Sequence, residues 1–153
     1  MLLGWGRRPA GRSVTRAARR MTTDFGRLAE LQDRVVRAVM DACPHEWDYL
    51  VVQFERDRCN GDMVDDAISA AFRKGGDTWE RDGWLMPYPC FLEFDALHNA
   101  TWASESQRWR NCLLEIDAAG KYRFTFSDDP PPRLNYVFND ESLLRNYSPR
   151  PLE

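Results

Sequence analysis

From residue 24 to residue 43 the apolar positions recur three or four apart. Phe25, Leu28, Leu31, Val35 and Val39 fall on one stripe, widened by Val36 and Met40. That period predicts a helix with one buried face, and Arg27, Glu30, Asp33, Arg34 and Arg37 take its wet side. Thr23 or Asp24 is placed to cap the start by accepting an orphan backbone N–H. Cys43-Pro44 stops the helix, because the residue before a proline is pushed out of the helical region. The period then drops to two. In Trp47 to Phe54, Leu50, Val52 and Phe54 share one side and Tyr49, Val51 and Gln53 the other, which predicts a strand with apolar contacts on both faces. Asn60-Gly61 is the strongest two-residue hairpin signal in the chain. Beyond it, Ile68, Ala70 and Phe72 alternate with Ser69, Ala71 and Arg73 as a second strand. Gly75-Gly76 and Asp82-Gly83 read as turns, and a short third strand is expected at Trp84 to Met86, ended by Pro87 and Pro89. Phe91, Phe94, Leu97 and Trp102 can share a helical face, so a second helix is expected over 91–103.

The clearest signal is Trp109 to Asp129. Leu113, Leu114 and Ile116 make an apolar run, broken by Asp117-Ala118-Ala119-Gly120-Lys121. Tyr122, Phe124 and Phe126 then alternate with Arg123, Thr125 and Ser127, so the aromatics share one face. Gly120 suits the positive φ that such a hairpin loop requires. Pro130 to Pro132 predicts a stiff extended connector. After it Leu134, Tyr136 and Phe138 alternate, and Asn139 to Tyr147 is expected as a last short helix. The fold class that follows is α+β: an antiparallel sheet of four to six strands, pairing with sequence neighbours, with helices packed on one face.

The same stretch, a tryptophan, an apolar run, a D-x-x-G-K turn and an aromatic alternating strand ending in acids, resembles the YezG-like immunity proteins. These are small bacterial antidotes to secreted polymorphic toxins. The resemblance runs on, more weakly but collinearly, through the helix-then-strand start from Asp24 to Phe54. It departs after the second strand, where the family carries an aromatic among the acids and this chain has Ser127-Asp128-Asp129 and then prolines. The resemblance implies a protein that acts by binding and is not an enzyme, with a cognate toxin domain as its partner.

A chain of 153 residues is one domain by size, and 43% hydrophobic residues with six tryptophans supply a real core. No apolar run approaches the roughly 18 residues of a membrane span, so no membrane partner is expected. Charge is distributed unevenly. Arg7, Arg8, Arg12, Arg16, Arg19 and Arg20 lie in the first 20 residues with no acid among them, so of 21 basic and 24 acidic residues the remaining 133 hold 15 and 24, a formal charge of −9. An acidic body repels nucleic acid and attracts basic partners. Residues 1–20 admit three readings: a targeting segment, a nucleic-acid arm, or a disordered leader or upstream start ahead of Met21. The last is the simplest and sets the domain at 21–153. Cys43, Cys59, Cys90 and Cys112 show no C-x-x-C pairing, which fits reduced thiols and a cytoplasmic location.

Candidate chemistry is sparse. His45 and His98 are the two histidines, neither in a metal-ligand spacing, so no metal and no cofactor is expected. Pro89-Cys90 with Glu93 lacks the second cysteine of a zinc deaminase, and neither a phosphate loop nor a G-x-S-x-G elbow is present. Carboxylates are plentiful, from Glu55, Glu93 and Asp95 to Asp140 and Glu141, and some cluster at turns. Asp57, Asp62, Asp65 and Asp66, then Glu80 and Asp82, then Asp128 and Asp129 are candidates to steer a basic, nuclease-like toxin. Trp79 and Trp84 are candidate anchors beside them, with Trp102 and Trp109 as further tryptophans divided between anchor and core. The alternative is a small enzyme using His45 or His98 with neighbouring carboxylates. A third reading is an interaction domain of a larger complex.

Overall fold

The computed structural model describes residues 16–101 and 108–152, with side chains from Gly26 onward. Helix α1 spans Arg16–Ala42. It buries Leu28, Leu31, Val35, Val36 and Val39, while Arg34 and Arg37 face water. Its start is earlier than the pattern predicts. Alanines and arginines at 16–20 are strong helix formers, so Thr23 and Asp24 fall inside the helix and not at its start. The side chain of Phe25, and the leader as far as residue 15, lie outside the described residues.

Strand β1 (Tyr49–Cys59) is the centre of the sheet. It pairs with β2 (Asp62–Gly75) through Asn60-Gly61, whose φ values of 53° and 86° are both positive, as a two-residue hairpin turn of this kind demands. β3 (Thr78–Trp84) follows over Gly76, φ 65°. Asp82-Gly83 is therefore not a turn. Gly83 stands opposite Ala70 and Asp82 opposite Ala71, within an edge strand that ends where Trp84 to Met86 was expected to begin. An edge position tolerates a glycine that an inner strand would not.

Helix α2 (Tyr88–Thr101) then crosses the sheet, and β4 (Asn111–Asp117) pairs antiparallel with β1, with Val52 opposite Leu114. β5 (Tyr122–Ser127) closes the order β3-β2-β1-β4-β5. Pairing with sequence neighbours fails at this one join: β3 and β4 lie on opposite sides of the β1–β2 hairpin because a helix, not a turn, connects them. Gly120 takes φ 83° in the β4–β5 turn, as its position requires.

Both helices cover one face. Leu50, Val52, Phe54, Leu114, Ile116, Phe124 and Phe126 meet α1 and α2 there, and Phe54 stacks on Phe94 with ring centroids 4.6 Å apart. Burying each such side chain contributes about 1.5–3 kcal/mol before chain entropy is set against it. The opposite face is apolar only in part: Tyr49, Val51, Ala70 and Phe72 pack under Leu144 and Leu152. That cover is irregular chain. A 3-10 turn at Arg133–Asn135 replaces the expected Leu134–Phe138 strand, and residues 139–147 form turns in place of the expected helix. Two local reasons are visible. Pro132 starts the 3-10 turn with αR backbone. Asn139 and Ser142 bond each other's backbone N–H reciprocally at 2.8 Å, which gives that backbone an alternative to a helix ladder.

Candidate functional site

Two carboxylates that the strands carry inward organise the helix-free face. Glu55 on β1 and Glu115 on β4 are both fully buried. Such groups require charge partners and hydrogen bonds, or they do not stay charged. Glu55 faces Arg133, whose side chain is 1% exposed, at 3.2 Å. The guanidinium also donates to Asp66 Oδ2 at 2.7 Å and to the carbonyls of Ser142 and Gln53, each at 2.8 Å. Glu55 in turn accepts the backbone N–H groups of Arg133 and Leu134 at 3.3 and 3.0 Å. One buried pair thus nails residues 130–144 to the sheet.

What this anchored loop presents is apolar. Tyr136, Val137 and Phe138 are 87%, 45% and 60% exposed. Tyr136 holds a left-handed backbone, φ 62° and ψ 28°, which is unfavourable for an aromatic residue and turns the chain outward at the end of the 3-10 turn. Acids flank the loop along the chain, Asp128 and Asp129 before it and Asp140 and Glu141 after it. Asp128 and Asp129 are exposed, and their carbonyls are fixed by Arg110 Nε at 2.9 Å and Asn111 Nδ2 at 2.8 Å. Asp129, Asn139 and Glu141 line one hollow of about 470 Å³ beside the loop, and Asp140 is exposed next to them.

The sequence-predicted residues divide. Asp57, Asp62, Asp65, Asp66, Asp128 and Asp129 all lie at the sheet end formed by the β1–β2 turn and the start of β4. Three of them are already engaged: Asp57 with Arg108 at 2.5 Å, Asp65 with Arg56 at 2.8 Å and Asp66 with Arg133. Trp79, Glu80, Asp82 and Trp84 lie elsewhere, on edge strand β3. Glu80 and Asp82 flank Arg73 at 3.2 and 3.3 Å. Trp79 packs against Tyr49 and Phe72 beneath Lys74, whose ammonium is 5.0 Å from the ring centroid. Trp84 and Trp109 are core residues, and Trp102 lies outside the described residues.

The two histidines lie in different places. His98 is fully buried, donates Nε2–H to the Trp109 carbonyl at 3.0 Å and packs edge-on to that indole. Burial, then the Arg56 charge, lowers its pKa to about 4, so the ring is neutral. His45 is half-buried after α1, its carbonyl accepting the Cys43 thiol at 3.6 Å. All four thiols are unpaired.

Sequence reading missed Glu115, Arg133, Arg150, Tyr136, Val137 and Phe138 as a functional set. A partial signal existed: a lone glutamate inside Leu113-Leu114-Glu115-Ile116, or after Val52-Gln53-Phe54, marks a strand position that must find a buried cation.

Asp65 supplies a pH test. It shares Arg56 with Asp95, which lies 2.5 Å from the same guanidinium. Burial, then the Asp95 carboxylate, raises Asp65 from 3.8 to about 7. Because folding raises this acid, its stabilisation is complete below 3.8 and is lost as pH rises through about 7. Asp65→Asn is therefore expected to flatten the fall in melting temperature between pH 5 and pH 8. Parallel wild-type and variant curves over that window would contradict the assignment.

No protein-family model matches the chain, and no curated protein matches it.

Proposed function

We propose that this chain is an immunity protein that binds a cognate bacterial toxin domain in the cytoplasm and neutralises it by occlusion. One observation carries the reading: three consecutive large apolar side chains, Tyr136 to Phe138, stand exposed on a loop that a buried ion pair holds rigid. Exposed apolar runs rimmed by polar groups mark protein contacts, and rigid aromatics make the strongest anchors because little is lost in ordering them. The resemblance of Trp109–Asp129 to the YezG-like immunity proteins supports a toxin as the partner. The acids flanking the loop (Asp128, Asp129, Asp140 and Glu141) support a basic target, a nuclease domain among them, since complementary charge steers encounter. Asp62 is exposed at the same sheet end and adds to that field.

Tyr136→Ala with Phe138→Ala is expected to weaken partner binding at least a hundredfold, in line with losses of about 2–4 kcal/mol at interface anchors. The melting temperature should barely change, because neither ring is buried. Titration calorimetry against the captured partner reads the first, a thermal melt the second. Charge reversal at 128 and 129 should slow association and flatten its salt dependence, which stopped-flow mixing across a salt series measures. An affinity unchanged in the aromatic double variant would move the contact elsewhere.

A further inference from the structure

The second buried carboxylate lies 35 residues before its best partner, on a different part of the helix-free face. Arg150 grips Glu115 bidentately, Nε to Oε2 at 2.7 Å and Nη2 to Oε1 at 2.8 Å. Two residues on, Leu152 is 7% exposed among Tyr49, Val51, Ala70 and Phe72. Arg150 and Leu152 therefore reach the sheet from alternate positions, as on an extended segment. Pro149 and Pro151 favour that backbone and have no N–H to give to a ladder. Side chains hold this segment, in the manner of a docked peptide.

Arg150 is not the sole partner of Glu115. Without Arg150, Glu115 still accepts from Tyr147 at 2.6 Å, Tyr49 at 3.2 Å and Arg123 at 3.3 Å. Burial pushes the Glu115 carboxyl up, but Arg150 first, then Tyr147 and Arg123, hold it below the ordinary range. Arg150 itself is half exposed, so water can replace part of its bond when it leaves. Beside the segment lies an open cleft of about 780 Å³ walled by Trp79, Lys74, Asp117 and Pro151. There is room for the strap to move and for a longer chain to enter.

We infer that the Glu115 face is a binding site for an extended protein segment carrying an arginine and, two residues later, a large aliphatic side chain. Residues 149–152 occupy it in cis as a displaceable strap. This site is separate from the Tyr136–Phe138 surface and does not depend on the reading given to that surface. A tethered segment competes at an effective concentration of roughly millimolar, so the intact chain masks its own site.

The probe is a labelled peptide, Ser-Pro-Arg-Pro-Leu-Glu, with a second peptide that has alanine in place of its arginine. Both are titrated by fluorescence polarisation into the full chain, wild type and Arg150→Ala. The double variant Arg150→Ala, Leu152→Ala is added where its thermal melt shows it folded. The arginine peptide is expected to bind the Arg150→Ala chain at least tenfold tighter than wild type, and the alanine peptide at least tenfold more weakly than the arginine peptide. Equal binding of the two peptides, equal binding to the two chains, or no binding to folded Arg150→Ala would overturn the inference.

Discussion

Arg133→Met is expected to lower the free energy of unfolding by about 3–5 kcal/mol, the range for removing one member of a buried pair. Methionine approximates the volume but takes from the fully buried Glu55 the guanidinium that lies 3.2 Å away. The same substitution strips the hydrogen bonds to Asp66, Ser142 and Gln53, so the loop at 130–144 should open before the sheet does. Equilibrium denaturation reads the total, and hydrogen exchange at 133–144 reads the order of events. Removing Glu55 as well, as Glu55→Leu, should recover only part of the loss. Glu55 also accepts the backbone N–H groups of Arg133 and Leu134, and those donors would be left behind. Arg145→Ala is the control: its pair with Asp140 is about 60% exposed on both sides, and such pairs contribute about 0–1 kcal/mol. An Arg133→Met change no larger than the control would refute the anchoring role.

Phe54→Ala is expected to destabilise by a comparable amount, about 3–5 kcal/mol. Phe54 stacks nearly parallel on Phe94, meets Phe91 and Trp109 at 6.1 Å each, and has no exposure. It stands where β1, α2 and the start of β4 converge, so the cavity left behind cannot close by moving one flexible neighbour. Two aromatics on different elements would have to shift together. Tyr122→Ala, on the same face but 36% exposed at the sheet edge, should cost far less. Denaturant midpoints with unchanged slopes would attribute both losses to the native core. A Phe54→Ala loss as small as that at Tyr122 would mean that this junction collapses freely.

These two residues also mark where the sequence was readable. Phe54 lies in an alternation that only a strand satisfies, and the same period gave Tyr122 to Ser127, while glycine chemistry gave the Asn60-Gly61 and Gly120 turns and a three-or-four spacing gave the apolar stripe of α1. Each is a local rule, settled within a few residues. Arg133 was unreadable because its meaning lies 78 residues away at Glu55. Leu134, Tyr136 and Phe138 alternate as a strand would, yet Pro132 sets αR backbone at the start of a 3-10 turn, and the three prolines before Arg133 cannot donate to a ladder. Asp82-Gly83 has turn chemistry, but the length of β2 leaves a partner for β3 through Trp84. The pairing of β4 with β1 follows from α2 packing across the sheet, a tertiary event with no local trace.

The candidate site was legible as charge and not as geometry. Counting acids finds separate clusters at turns, and the fold then sets Asp57, Asp62, Asp65 and Asp66 at the same end of the sheet as Asp128 and Asp129. It does not reveal that Arg108, Arg56 and Arg133 arrive there to engage Asp57, Asp65 and Asp66. Reversing the charges at 65 and 66 would thus break the fold before it tested steering, whereas 62, 128 and 129 are open to that experiment. The aromatic anchors were sought among tryptophans, of which Trp84 and Trp109 are core residues. The rings exposed on the anchored loop are Tyr136 and Phe138, in a segment whose alternation suggested a strand.

We propose that this chain neutralises a toxin domain through the Tyr136–Phe138 surface. The most direct measurement is parallel affinity capture from the native organism with tagged wild type and the Tyr136→Ala, Phe138→Ala variant, each followed by mass spectrometry. One stoichiometric partner with a toxic C-terminal domain is expected on the wild type and should be lost on the folded variant. Equal recovery of that partner on both would contradict the surface, and recovery of no protein partner on the wild type would contradict the function.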